Sequence, residues 1–181
     1  MPKRKPVIAE LPAPEEIDFG ALAREYIDSR VDLIVVLGPT ASGKTRYAVQ
    51  LAGEINACAA LGLFEGCPGR MTDPATVNGA EIISADSRQV YKGMDIGTGK
   101  DLSEYGDIPY HLIDILPAGA QYNVFRFQQD FRRVWADIRS RGMVPILCGG
   151  TGMYINAVTA GYDFTSKVSL SAGRGPSEAE G

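Results

Sequence analysis

The sequence has 181 residues, 45% of them hydrophobic and 22% charged, with a formal net charge of -4 at pH 7. That length suits one well-filled domain and excludes two large ones, and the acidic balance excludes a general electrostatic pull toward nucleic acid, so RNA binding would need a local basic face. Cys58, Cys67 and Cys148 are widely spaced with no C-x-x-C pair, and His111 is the single histidine, which argues against structural zinc and disulfides and for reduced thiols.

No apolar run reaches the roughly 18 residues of a membrane span. Met1-Pro2-Lys3-Arg4-Lys5 is followed by prolines and acids where a signal peptide would have its apolar core, so a cytosolic protein without membrane association is expected. Residues 1–30 read as an N-terminal arm, with Ile17, Leu22, Tyr26 and Ile27 outlining a short helix that leads into the core. The core itself is expected over 31–162.

Val31 to Leu37, with Asp32 its only polar residue, reads as a first buried parallel strand. It runs into Gly38-Pro39-Thr40-Ala41-Ser42-Gly43-Lys44-Thr45, an ungapped match to G-x-x-x-x-G-K-[ST]. Behind the loop, Ala48, Leu51, Ala52 and Ile55 recur at helical spacing; this helix is expected to reach about Leu61, where Gly62 closes it. Strand, glycine loop and helix therefore stand in the order that a phosphate cradle requires. The glycines let successive backbone N–H groups turn inward, the helix start adds the positive end of its dipole, Lys44 supplies a full charge, and the Thr45 hydroxyl is placed to hold Mg2+. Gly38, Thr40, Ala41, Ser42, Gly43, Lys44 and Thr45 are thus candidate phosphate-binding residues, for a nucleoside triphosphate or another diphosphate. The fold expected is α/β, a P-loop NTPase-like parallel sheet flanked by helices in three α/β/α layers.

The stretch from about 56 to 79 reads as an inserted loop, with Gly66, Pro68 and Gly69 breaking the helical pattern. Glu81 to Ala85 is the second strand and ends at Asp86-Ser87-Arg88-Gln89. Ligand chemistry gathers at the carboxyl ends of strands in open α/β sheets, so Asp86 is a candidate working carboxylate. It can equally serve as a helix N-cap, and the two roles are compatible. Val90 to Lys100, with Gly93, Gly97 and Gly99, reads as a loop crossing the site or as a plain surface connection. Tyr110 to Ile115 is the third strand, and the lone His111 within it reads as a packed or hydrogen-bonded residue ahead of a catalyst.

Val124 to Arg141 is the clearest helix, with Phe127, Phe131, Val134, Trp135 and Ile138 on one face, Asn123 at its start and Gly142 at its end. Arg126, Arg132, Arg133, Arg139 and Arg141 make the rest of it the most basic surface of the chain, either plainly solvated or in contact with an RNA backbone. Val144 to Cys148 is the fourth strand, followed by Gly149-Gly150-Thr151-Gly152 and a helix bearing Met153, Tyr154, Ile155 and Val158. Thr151 is placed to give a hydroxyl and a backbone N–H to an anion, or to cap that helix. Residues 163–181 turn to Ser, Gly, Ala and Glu and read as a disordered tail.

The blocks GPTASGKT, EIISADSRQVYKGMDIGTGK, YHLIDI and PILCGGTGMYINAV, in that order, resemble the tRNA dimethylallyltransferase (tRNA isopentenyltransferase) family over residues 31–55 and 80–162. The resemblance implies transfer of a five-carbon dimethylallyl group from dimethylallyl diphosphate, with Mg2+, to the exocyclic amine of an adenosine beside the anticodon of tRNA. It implies Asp86 as the base that takes the amine proton, Lys44 and Thr151 as catalytic donors to the diphosphate, and Asp86, Ser87, Arg88 and Gln89 as contacts to the flipped-out base. A monomer is expected. The family continues past the Gly-Gly-Thr block into an RNA-gripping helical region that is absent from this sequence, so a fragment, a truncated gene product or a degenerate copy is expected. Other readings of the same core are an isopentenyltransferase that uses free adenine nucleotide, an ATP-binding small-molecule kinase, or an inactive phosphate-binding remnant.

Overall fold

The computed structural model describes residues 21, 25, 32–39, 41–64, 77–96, 98, 100 and 102–160. Most of the expected arm, residues 65–76 of the expected insertion, Thr40, and the 163–181 tail lie outside the described residues. Of the short helix expected over 17–27, Ala21 and Glu25 are described, and both are helical.

The elements run β1 (Ile34–Leu37), α1 (Lys44–Ala60), β2 (Gly79–Ser84), a 3-10 turn (Leu102–Tyr105), β3 (Tyr110–His111), α2 (Val124–Ser140), β4 (Met143–Gly149) and α3 (Gly152–Thr159). The strands form one sheet in the order β1-β4-β2-β3, every pair parallel. β4 is therefore inserted between β1 and β2, pairing Leu37 with Gly149 on one side and Ser84 with Cys148 on the other.

All six residues of β2 are buried, which is why the strand reads as a continuous run and shows no alternation. Its side chains still divide by parity. Ala80 and Ile82 join Val144, Ile146 and Cys148 against Ala48, Leu51, Ala52 and Ile55 of α1, while Ile83 joins Leu147 against Phe127, Phe131 and Ile138 of α2 and Tyr154 and Ile155 of α3. The three α/β/α layers follow, as the sequence predicts for a P-loop-like fold. No helix among the described residues is long and apolar enough to cross a membrane.

The helix ends match their sequence signals closely. Gly62 adopts φ 69°, its N–H reaches the Ala59 carbonyl at 3.0 Å and the Leu63 N–H reaches that of Cys58 at 3.1 Å, a Schellman closure of α1. Asn123 Oδ1 accepts the Arg126 N–H at 2.9 Å to start α2, and Gly142 at φ 72° ends it.

The third strand is shorter than its pattern suggests. Only Tyr110–His111 pairs with β2, because Leu112 (φ 63°) and Asp114 (φ 53°) take left-handed backbone and turn the chain. The Asp114 N–H then bonds the Gln89 carbonyl at 3.0 Å, and the N–H groups of Ile115 and Leu116 reach that of Val90 at 2.9 and 3.0 Å. Each left-handed non-glycine residue costs roughly 1–2 kcal/mol, so the turn is imposed by what surrounds it.

Candidate functional site at the carboxyl ends of the strands

The phosphate-loop motif, Asp86 and Thr151 all follow carboxyl ends of adjacent parallel strands, which brings them to one rim of the sheet. Within the loop, Ala41 (φ 62°) and Gly43 (φ 80°) are left-handed, and the Ser42 N–H bonds the Pro39 carbonyl at 3.3 Å. Lys44 opens α1, and its Nζ donates to the same Pro39 carbonyl at 3.2 Å. The ammonium thus lies folded over its own loop.

Two glycines of β4's end set how tightly the rim closes. A side chain at Gly149 would put its Cβ 2.5 Å from the Ala85 carbonyl oxygen, and one at Gly150 would stand 3.0 Å from that of Gly38 and 3.9 Å from Lys44 Nζ. Backbone approach of this kind is possible only where Cβ is missing. The Gly149-Gly150 pair therefore abuts the end of β2 on one side and the phosphate loop on the other.

Asp86 is half-buried and turns back on its own segment: Oδ1 accepts the Arg88 N–H at 2.9 Å, and the Gln89 N–H bonds the Asp86 carbonyl at 3.3 Å. The capping geometry expected of an aspartate is present, but it closes a turn over 87–90 and starts no helix. Ser84 Oγ donates to Gln89 Oε1 at 2.9 Å beneath this turn. Thr151 precedes α3, yet its hydroxyl does not cap that helix; it accepts the Ser87 N–H at 3.2 Å, and the Thr151 N–H reaches the Ala85 carbonyl at 3.3 Å. Thr151 and the Asp86-Ser87 segment are thereby stitched to each other across the two strand ends. Arg88 is exposed.

Three further side chains sense this rim. Burial pushes the Cys148 thiol up to about 11, against the Lys44 charge and a hydrogen bond with Thr45 and with the Asp86 carboxylate adding to the rise. Burial also raises the Tyr105 and Tyr154 phenols, with the charge of Asp86 contributing to both. Tyr105 and Cys148 pack in the core on the α1 side of the sheet and Tyr154 in the core on the α2–α3 side, so the charge of Asp86 is felt on both faces. Only the position of Cys148 directly before Gly149-Gly150 could have signalled this from sequence.

The other predicted features sit elsewhere. His111 Nε2 lies 2.6 Å from Glu81 Oε2, and Glu81 also takes a bidentate bond from Arg141. Glu81 is five residues before Asp86 along β2, about 16 Å at strand rise, so His111 is a hydrogen-bonded structural residue. Part of the basic surface of α2 and its C-cap is paired within the molecule. Arg141 pairs with Glu81 and Asp137, Arg133 with Asp130 at 3.3 Å, and Arg139 with Asp32 at 3.7 Å and over the Trp135 ring at 4.3 Å. That leaves a weaker positive field than the arginine count suggests. A cavity of about 540 Å3 runs beside β1, lined by Leu33, Val35, Phe131, Trp135 and Val158, and none of Lys44, Thr45, Asp86 or Thr151 lines it. Among the described residues no cluster of three His, Cys, Asp or Glu side chains could hold a metal.

Comparison with known proteins points in one direction. A family model described as IPP transferase matches residues 89–179, which includes Gln89, Thr151 and helices α2 and α3. The chain is 52% identical over 133 residues to tRNA dimethylallyltransferase 1 of Geotalea uraniireducens, covering 74% of this chain and 36% of that protein. It is 54% identical over 134 residues to tRNA dimethylallyltransferase 1 of Porphyromonas gingivalis, covering 72% and 37%. Among solved structures, the full-length tRNA isopentenylpyrophosphate transferase of Bacillus halodurans aligns with a TM-score of 0.58 at 38% identity, over 73% of this chain and 36% of that one. A eukaryotic dimethylallyltransferase acting on tRNA aligns at 0.54 and 31% identity, over 68% and 25%. The chain spans 36% and 37% of the length of the two curated relatives. With a family match across half its length and a parallel sheet that brings the Gly38–Thr45 motif and Asp86 to the same rim, the chain belongs to the IPP transferase family.

Proposed function

We propose that this chain carries the donor-binding and proton-accepting core of a tRNA dimethylallyltransferase. The observation that carries the reading is the closure of the rim by Gly149 and Gly150, which sets Lys44 on one side of β4's end and the Ser87–Thr151 stitch, with Asp86 next to it in the chain, on the other. A leaving group that gathers negative charge and an amine that must lose a proton need those two functions side by side.

In the reaction, the allylic carbon–oxygen bond of dimethylallyl diphosphate breaks while the exocyclic nitrogen of adenosine bonds the same carbon. The electron pair of the broken bond leaves on the diphosphate, and the amine proton passes to the Asp86 carboxylate. Lys44 exchanges its bond to the Pro39 carbonyl for the diphosphate, the N–H groups at the start of α1 face the same anion, and the Thr151 hydroxyl lies beside the oxygen that leaves. Asp86 is poised for its task by the Arg88 N–H, which fixes one carboxylate oxygen. The Ser87–Gln89 turn is the surface offered to the acceptor base, which must be unstacked to enter.

Mg2+ fits this donor set. Thr45 contributes one hard oxygen at the start of α1, and Mg2+ takes few protein ligands, completing its shell with phosphate oxygens and water. When bound, it neutralises charge developing on the diphosphate.

The test is transfer of labelled dimethylallyl from its diphosphate, with Mg2+, to unmodified tRNA and in parallel to AMP. Label on tRNA is expected, and Asp86→Asn should slow it by about 10^2- to 10^4-fold while diphosphate affinity stays near wild type. Label on AMP alone would move the chain to a small-acceptor enzyme, a reading favoured by the internally paired arginines of α2. Diphosphate binding with no transfer to either acceptor would overturn the proposal.

A further inference from the structure

The stretch leaving β2 is anchored by a cation that the proposed chemistry does not use. Lys100 has a side chain 0% exposed, and its ammonium donates to the Tyr91 carbonyl at 2.9 Å, to Asp114 Oδ1 at 2.5 Å and to Asp95 Oδ1 at 2.9 Å. Three donors meet three acceptors, so the charge is fully satisfied. Burial by itself works against the ammonium, but the bonds from Asp114 and Asp95 outweigh it and hold Lys100 above its ordinary value. It stays charged across any working pH.

The three acceptors come from two segments. Tyr91 and Asp95 lie on the loop that follows the Asp86–Gln89 turn, and Asp114 lies on the left-handed turn after β3. The same two segments are joined by the bonds from Asp114, Ile115 and Leu116 to the carbonyls of Gln89 and Val90. Thr98 Oγ1 closes the loop tip onto the Met94 carbonyl at 2.7 Å, leaving Ile96 99% exposed at the top. A buried cation and two strained residues are costly devices for a surface connection. Among the described residues the bonds of this brace stay within 89–116 and reach neither the phosphate loop nor α1.

We propose that Lys100 is a positioning residue for the acceptor side of the site: by tying Tyr91 and Asp95 to Asp114, it holds the Asp86–Gln89 turn in the geometry that receives the acceptor base. Lys100 touches no reactant; it acts through Gln89 and Val90, whose carbonyls the braced turn holds. The acceptor role rests on the transferase reading above, whereas the brace does not. Preorganisation of this kind is worth much in rate, since a displacement of about 1 Å can cost on the order of 100-fold.

The experiment uses the chain with Lys100→Met, which keeps the length and bulk of the stem without its charge, and Lys100→Met/Asp114→Asn, which also removes the less exposed of the two carboxylates left without it. Amide hydrogen exchange should rise about 10-fold or more at 89–92 and 114–116 in both variants while α1 and β4 stay within about twofold. Dimethylallyl diphosphate with Mg2+ should bind both as it binds wild type, and KM for the accepted acceptor, tRNA or AMP, should rise about 10-fold or more with a smaller change in kcat. Exchange that rises evenly through the sheet, exchange that does not change, or an equal loss of donor affinity would each overturn the assignment. A wild-type chain that transfers nothing would sink the transferase reading and the acceptor role with it, while the exchange pattern still decides whether the brace exists.

Discussion

At the carboxyl rim, Lys44 and Asp86 are half-buried and bonded to backbone groups within five residues, the Pro39 carbonyl and the Arg88 N–H. Mid-sheet, Glu81 is 3% exposed and gripped by side chains from 60 and 30 residues away, Arg141 and His111. The rim charges could give up a local backbone partner without disturbing the packed sheet. The Glu81 carboxylate has no such freedom, because a charge removed from water and paired across three elements becomes part of the fold. Two carboxylates five residues apart, Glu81 within β2 and Asp86 just past its end, thus differ in how far away their partners lie.

Substitutions at the two places should separate cleanly, and the largest effect is expected at the rim. Lys44→Met should weaken dimethylallyl diphosphate binding by about 10^2- to 10^3-fold with a change in unfolding free energy within roughly 1 kcal/mol. Calorimetric titration and urea melts measure the two quantities, and a chain that unfolds would erase the contrast. Arg141→Met should do the reverse. It leaves Glu81 buried with half its partners, and because Arg141 is itself 43% exposed the loss should fall below the 3–5 kcal/mol of a wholly buried pair, at about 2 kcal/mol. Donor affinity should not move.

The smallest effect is a dependence on pH that sharpens the same comparison. Hydrogen bonds from Arg141 hold the Glu81 carboxyl below its ordinary value, against the opposing pull of burial and with His111 adding to the fall. A depressed carboxylate contributes stability above its unfolded pKa, about 4.3, and loses it as pH falls through the folded value. The stability gap between wild type and Arg141→Met should therefore be widest above about pH 5 and close as pH drops below 4. A gap of constant size from pH 7 to 3 would assign the stabilisation to something other than this pair.

The rim was legible in the sequence because each of its parts is contiguous and lies at a strand end: Gly38–Thr45 after β1, Asp86–Gln89 after β2, Gly149–Thr151 at the end of β4. Helix limits were legible for the same reason, since Asn123, Gly62 and Gly142 act on neighbours within a turn. What local pattern does not carry is the distant partner. His111 and Arg141 converge on Glu81 from two other elements, and the arginines of α2 look like a free basic face until Asp32, Asp130, Asp137 and Glu81 are set against them. Tyr110 to Ile115 has the composition of a strand, yet the pull of Gln89, Val90 and Lys100 on the far side of a turn bends it after two residues. Thr151 reads as a helix cap by position, but the Ser87 N–H takes its hydroxyl instead.

Among the described residues β1 pairs only with β4, although the two strands lie at opposite ends of the described core. On a ribosome, Ile34–Leu37 emerges early and waits while the rest of the core is made, on the order of ten seconds at ordinary elongation rates. During that interval the phosphate loop has its sequence but no platform, since the strand that feeds it has no neighbour and Gly150 has not arrived to close it. On the proposed reading, the donor site is therefore complete only once β4 has joined the sheet, and added donor could reward that step but not replace it.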